Sequence, residues 1–134
     1  MKRSYKSVAL AILMTVVSET LTEIMDDVPD QLSLLDFGNY AEFNRRIKRL
    51  FASIVADHRT KVYNILGSAE FVKRYPVLKK IQKLPVSNLK KSIIFLSGIG
   101  CTTLEISHIL QCEKHSVSTM RSTCRRYIAN IFKH

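Results

Sequence analysis

Tryptophan is absent from this 134-residue chain, and glycine (four), proline (three) and cysteine (three) are scarce. So little punctuation leaves few places for tight turns, and strict polar/apolar alternation is almost missing. Apolar residues instead recur every three to four positions, so a sheet-rich fold is excluded and an all-α chain is expected. An odd set of cysteines, Cys101, Cys112 and Cys124, without scaffold spacing argues against a secreted disulfide framework. A reducing, cytoplasmic setting follows. At this length the chain can bury one substantial core or two small helical units.

Acidic side chains are also in short supply, 11 against 21 Lys and Arg, a formal charge of +10. That excess suggests a polyanionic partner without naming it. Its distribution is uneven: residues 1–38 carry three basic and six acidic side chains, 39–85 eleven and three, and 86–134 seven and two. A long uncharged run is lacking too. Lys2, Arg3 and Lys6 precede the apolar stretch Val8 to Val17, as in a signal peptide, but ten residues are too few to span a bilayer. A buried helix, with no membrane partner, is the expectation.

The first helix is expected from about Ser4 to Val28, ending before Pro29. Leu10, Met14, Val17, Leu21, Ile24 and Val28 form a heptad seam on it, suited to self-association or to packing within the monomer. After a loop with Pro29, Asp36 and Gly38, Asn39 can cap a second helix over 40–66. Phe43, Ile47, Leu50, Phe51, Ile54, Val62 and Leu66 form its apolar stripe, with Arg45, Arg46, Lys48 and Arg49 beside it. Ser68 can cap a short helix to Arg74 or Tyr75, and Pro76 opens another to about Lys83. Pro85 then separates an N-terminal helical unit (1–85), suited to homodimerisation or partner binding, from a C-terminal three- to four-helix domain (86–134). The aromatic residues Tyr5, Tyr40, Phe43, Phe51, Tyr63, Phe71 and Tyr75 sit at helical spacing and read as core.

In the C-terminal part Ser87 can cap a helix burying Ile93, Ile94 and Leu96 and ending at Gly98 and Gly100. Thr102 and Glu105 make a capping box for a short helix whose buried face is Leu104, Ile106, Ile109 and Leu110, with Ser107 facing its neighbour. Gln111 to Lys114 make a turn, and Ser116 to Ile131 restart a helix with Val117, Met120, Cys124, Ile128 and Ile131 inside. Its outer face holds Ser118, Thr119, Arg121, Ser122, Arg125 and Arg126, and no acidic residue follows Glu113. Short hydrogen-bonding side chains among guanidinium groups suit a helix lying in a DNA major groove.

This stretch resembles the LuxR- or FixJ-type helix-turn-helix domain of bacterial transcription regulators. Val86-Ser87 stand for the opening L-T of that family, Gly100 to Ser107 for its central motif, and Leu110, Cys112, Ser116 and Val117 for the remainder. Lys90 stands where the family has an acidic residue, Ser107 where it has Ala, and Glu113 where it has a capping Ser. The resemblance implies a sequence-specific double-stranded DNA-binding regulator, not an enzyme, with a recognition helix over 116–131. Ser118, Thr119, Met120 and Ser122 are then candidates for base contact, and Lys114, Arg121, Arg125 and Arg126 for phosphate. The other reading is a protein-interaction module, like a sigma region four, with RNA polymerase as partner.

No cofactor or catalytic set is expected. Cys112-x-x-His115 has no second ligand pair at zinc spacing, and the outward His108 reads as a surface residue. A Cys/His nucleophilic pair would lack an orienting carboxylate. Gly98-x-Gly100 reads as a helix end, not a phosphate-cradling loop.

Overall fold

A computed structural model describes residues 2–33 and 40–133, which form an all-α fold. Eight helices are present among the described residues: α1 (Lys2–Ser33), α2 (Tyr40–Leu66), α3 (Ala69–Arg74), α4 (Val77–Gln82), α5 (Asn88–Gly98), α6 (Thr103–Leu110), α7 (Lys114–Thr123) and α8 (Arg125–Ile131).

Helix α5 is the hub. Ser92, Ile93, Ile94, Phe95 and Leu96 are five consecutive buried residues, possible only for a helix covered on nearly every side. It packs against α2, α4, α6, α7 and α8. Ser87 caps it as expected, its side chain accepting from the Lys90 N–H, and Lys91 Nζ donates to the Gln82 carbonyl at the end of α4. Phe95 was not singled out from its spacing, yet its ring lies edge-on to Phe71 and Tyr75, with centroids 6.0 and 5.3 Å away. Gly98 makes room for the C-terminal end: a Cβ there would fall 1.9 Å from the Phe132 ring. Gly100 turns the chain with φ 97°, a conformation that costs glycine little.

Helices α1 and α2 pack along each other and continue past the core. The face of α1 that is buried is Ala9, Leu13, Val16 and Thr20, with Val17 at its edge. This corrects the heptad seam. Of that set only Val17 is buried, Leu10 and Ile24 are half-buried, Met14 and Leu21 are exposed, and the side chain of Val28 lies outside the described residues. A stripe one residue out of phase, four-three-four in spacing, wins because its smaller members admit close approach of α2 and α6. Helix α1 also runs through Pro29 to Ser33 rather than stopping at Val28. Proline forfeits one backbone bond, but its φ is itself helical, so a helix otherwise supported can pass through it. By length and composition alone, Lys6–Asp26 is long and apolar enough to cross a membrane. The apolar segment is thus longer than Val8 to Val17.

Beyond Thr20 on α1 and before His58 on α2, none of the described side chains is buried. Phe51, expected in the core, is 41% exposed; the buried residues of α2, His58, Val62 and Leu66, all lie in its C-terminal third. Asn39, expected to cap α2, lies outside the described residues, as do Asp36 and Gly38 and the side chains of Tyr5 and Tyr40. Ser68 caps α3 and Pro76 opens α4, both as read from sequence.

One apolar cluster takes residues from both sides of Pro85: Leu13, Val62, Phe71 and Leu78 join Ile93, Ile106, Ile109 and Val117. The two parts of the chain therefore share a core.

Candidate nucleic-acid interface

The Thr102–Glu105 capping box forms in full. The Glu105 side chain accepts from the Thr102 N–H at 2.8 Å, and Thr102 Oγ1 accepts from the Glu105 N–H at 3.1 Å. Lys6 Nζ adds an ion pair at 2.9 Å, tying the start of α1 to the start of α6. Acceptance from the Thr102 backbone, then from Lys6, holds the Glu105 carboxyl below the usual carboxylate range. Ile106, Ser107, Ile109 and Leu110 are buried in α6, and His108 is exposed. Leu104, expected on the buried face, is 59% exposed. It sits in the first turn of α6.

Helix α6 ends at Gln111, whose φ of 53° and ψ of 51° put it in the left-handed region without glycine's freedom. Two residues that sequence reading passed over hold this turn. His58 Nε2 meets the Ile109 carbonyl at 2.6 Å while Nδ1 lies 2.8 Å from Thr20 Oγ1. A carbonyl can only accept, so Nε2 carries a proton and donates it. Arg59 donates to Leu110 O at 2.8 Å, to Gln111 O at 2.9 Å and to Cys112 Sγ at 3.2 Å. The turn is thus fastened to α2 by donors on adjacent residues. No local pattern announces it, since 51 residues separate His58 from Ile109.

Helix α7 starts at Lys114, not Ser116, and stops at Thr123. The single helix expected over 116–131 is divided at Cys124, whose φ of −93° and ψ of 6° leave helical geometry as its side chain turns into the core. Glu113 occupies the N-cap position and makes no side-chain capping bond. Starting two residues earlier puts His115, not foreseen as a contact, on the exposed face one turn before Ser118 and Thr119. Ser118, Thr119 and Ser122 are exposed, as is Lys114; Met120 is half-buried and belongs to the inner face.

The arginines separate. Arg121 is half-buried, with Nη1 donating to Thr103 Oγ1 at 2.6 Å, so it braces α7 against α6. Arg125 and Arg126 are exposed on α8, beyond the Cys124 break. Arg125 joins Ser118, Arg121 and Ser122 around a shared concavity, and Arg126 does not line it.

The cysteines are free thiols, with Cys101 and Cys124 buried and Cys112 half-buried. Burial, reinforced by Glu105, pushes the Cys101 thiol up to about 11, and burial also raises Cys124. Among the described residues no three His, Cys, Asp or Glu side chains gather as a metal site. Compared with protein-family models, characterised proteins and solved structures, the chain matches none.

Proposed function

We propose that this protein is a sequence-specific double-stranded DNA-binding regulator that places α7 in the major groove. The observation that carries this reading is the outer face of α7. His115, Ser118, Thr119 and Ser122 are exposed together, and no residue from Lys114 to Thr123 is acidic. An α-helix with its side chains is about 10–12 Å across, which fits a major groove about 12 Å wide. Lys114, Arg125 and Arg126 flank that face and supply phosphate contacts, while Arg121 acts chiefly by holding Thr103. Selection of duplexes from a random pool, followed by fluorescence anisotropy, tests it. An enriched motif whose binding weakens with Ser118→Ala and Ser122→Ala is the expected outcome. Equal affinity for every duplex would defeat it.

The α1–α2 arm completes the reading as a homodimerisation element. Met14, Leu21 and Met25 lie exposed along α1, with Met25 at 74%. Glu19, Glu23 and Asp26 are on α1, whereas Arg45, Arg46, Lys48 and Arg49 are on α2, so two arms can pair the acidic helix of one with the basic helix of the other. A dimer matches the paired half-sites that helix-turn-helix proteins read about one helical turn apart. Sedimentation of a Leu21→Glu, Met25→Glu variant should give a monomer; an unchanged dimer would move the interface elsewhere.

Leu104 favours one further reading. An exposed apolar side chain at the head of α6 suits a protein contact, and RNA polymerase is the partner for a sigma-like module. Capture of polymerase that is lost in Leu104→Ser, with duplex binding non-specific, would select it.

A further inference from the structure

Between the end of α5, the start of α6 and the outer sides of α7 and α8 lies a concavity of about 420 Å³. Six polar residues from those four helices surround it: Ser97, Thr103, Ser118, Arg121, Ser122 and Arg125. None of its lining residues is acidic.

The donors there are partly fixed in advance. Arg121 gives one N–H to Thr103 Oγ1 at 2.6 Å. That bond orients the guanidinium and uses one of five donors, and because Thr103 accepts, its own hydroxyl proton is left to donate. Ser97 Oγ, in the wall, is buried and has no hydrogen-bond partner among the described residues. Covered polar atoms in folded proteins are nearly always paired, and Ser97 lines the same concavity as Arg121 and Arg125, so a turn of its side chain toward an acceptor held there would pair the hydroxyl. A cation is excluded by the like charge of Arg121 and Arg125. An apolar ligand would strand the hydroxyls.

We propose that this concavity binds a tetrahedral oxyanion of the phosphate class, with Arg121 and Arg125 supplying charge and Ser97 and Thr103 supplying hydroxyl donors. Guanidinium matches phosphate because its planar fork presents two parallel donors. The site rests on these side chains and does not require that α7 read DNA. The same chemistry fits a backbone phosphodiester of a bound duplex or a free phosphate ester, and the two are separable.

The test is a titration of the full chain with inorganic phosphate, followed through backbone amide resonances, beside potassium chloride of matched ionic strength. Saturable shifts centred on Ser97, Thr103, Ser118 and Arg125, absent with chloride, are expected. Arg125→Gln, at an exposed position, should weaken binding about tenfold, and Ser97→Ala about threefold. Duplex binding is measured separately. If phosphate displaces duplex more than chloride does, the site takes a backbone phosphate; if it binds without displacing duplex, the site takes a free ester. Either supports the site. Shifts no larger than those with chloride, or unchanged affinity in Arg125→Gln, would overturn it even if duplex binding persists, whereas duplex failure with phosphate binding intact refutes only the DNA reading.

Discussion

Arg59 on α2 donates its Nε proton to the Leu110 carbonyl at 2.8 Å and so holds the last turn of α6 from a helix 51 residues away in sequence. Its Nη2 reaches the next carbonyl, Gln111, at 2.9 Å. A helix end leaves such carbonyls without intrahelical partners, and here a guanidinium fork takes two at once. Arg59→Ala should therefore destabilise the fold by about 1.5–3 kcal/mol, the range for hydrogen bonds to charged groups. Arg59→Lys should recover part of that, because one ammonium cannot reproduce the fork. Urea unfolding checks both; a change in Arg59→Ala below about 0.5 kcal/mol would show that water replaces the fork at no cost.

His58 makes a sharper prediction because it is buried. Removing it leaves the Ile109 carbonyl without its imidazole donor, whereas the Thr20 hydroxyl can fall back on Val16 O at 3.0 Å. The two partners of one ring thus lose unequally. His58→Phe, which keeps volume and removes both nitrogens, should cost about 1–3 kcal/mol, and Thr20→Val should cost less. Equal losses in the two variants would place the burden on Thr20 instead.

The starts of α3, α5 and α6 were legible because Ser68, Ser87 and the Thr102–Glu105 pair are local signals, each read within four residues. So was the inward set Val117, Met120 and Cys124, fixed by periodicity. Helix α1 was harder. It carries two stripes one residue apart, and which one is buried depends on how closely α2 and α6 can approach each. Leu104 has the same cause: an apolar residue at a helical spacing is core only if another element arrives to cover it. The clamp of His58 and Arg59 on the α6–α7 turn was invisible because nothing within α2 distinguishes those residues from its other polar ones. The break at Cys124 was missed because the inward spacing continues across it to Ile128 and Ile131.

Acid should expose the contribution of Glu105. Its folded carboxyl is held below the usual range, first by the Thr102 N–H and then by Lys6, so the stabilisation is complete above the unfolded value and disappears as pH falls through the folded one. With the ion pair partly exposed, the capping box is the larger part, about 1 kcal/mol. Glu105→Ala should thus lower stability at neutral pH, and the difference from the unaltered chain should shrink as pH falls below the ordinary carboxylate range. A difference that grew in acid would contradict the assignment.

Thiol labelling separates the cysteines. Cys101 is buried and its thiol is pushed up to about 11, so at pH 8 it is overwhelmingly protonated as well as covered. Cys124 is also buried and raised. Cys112 is half-buried beside the Arg59 guanidinium. An aromatic disulfide reagent should therefore modify Cys112 first, and the other two only at the rate at which the core opens. Reaction of Cys101 as fast as Cys112 in folded protein would mean that α6 separates from α5 far more readily than their shared packing allows.

Salt dependence distinguishes the roles of the arginines under the DNA reading. Each phosphate neutralised releases counterions, so two phosphate contacts should account for about 1.8 of the slope of log affinity against log salt concentration. Arg125 and Arg126 are exposed on α8, and their joint replacement by Gln should reduce the slope by about that amount for any duplex, leaving sequence preference intact. Ser118→Ala with Ser122→Ala should do the opposite, preserving the slope and flattening preference. Arg121→Ala is a third case. Because Arg121 is tied to Thr103, its loss should lower thermal stability as well as affinity. A slope that drops in the serine variant and not in the Arg125, Arg126 variant would reverse the placement of α7 and put the reading face of the protein elsewhere.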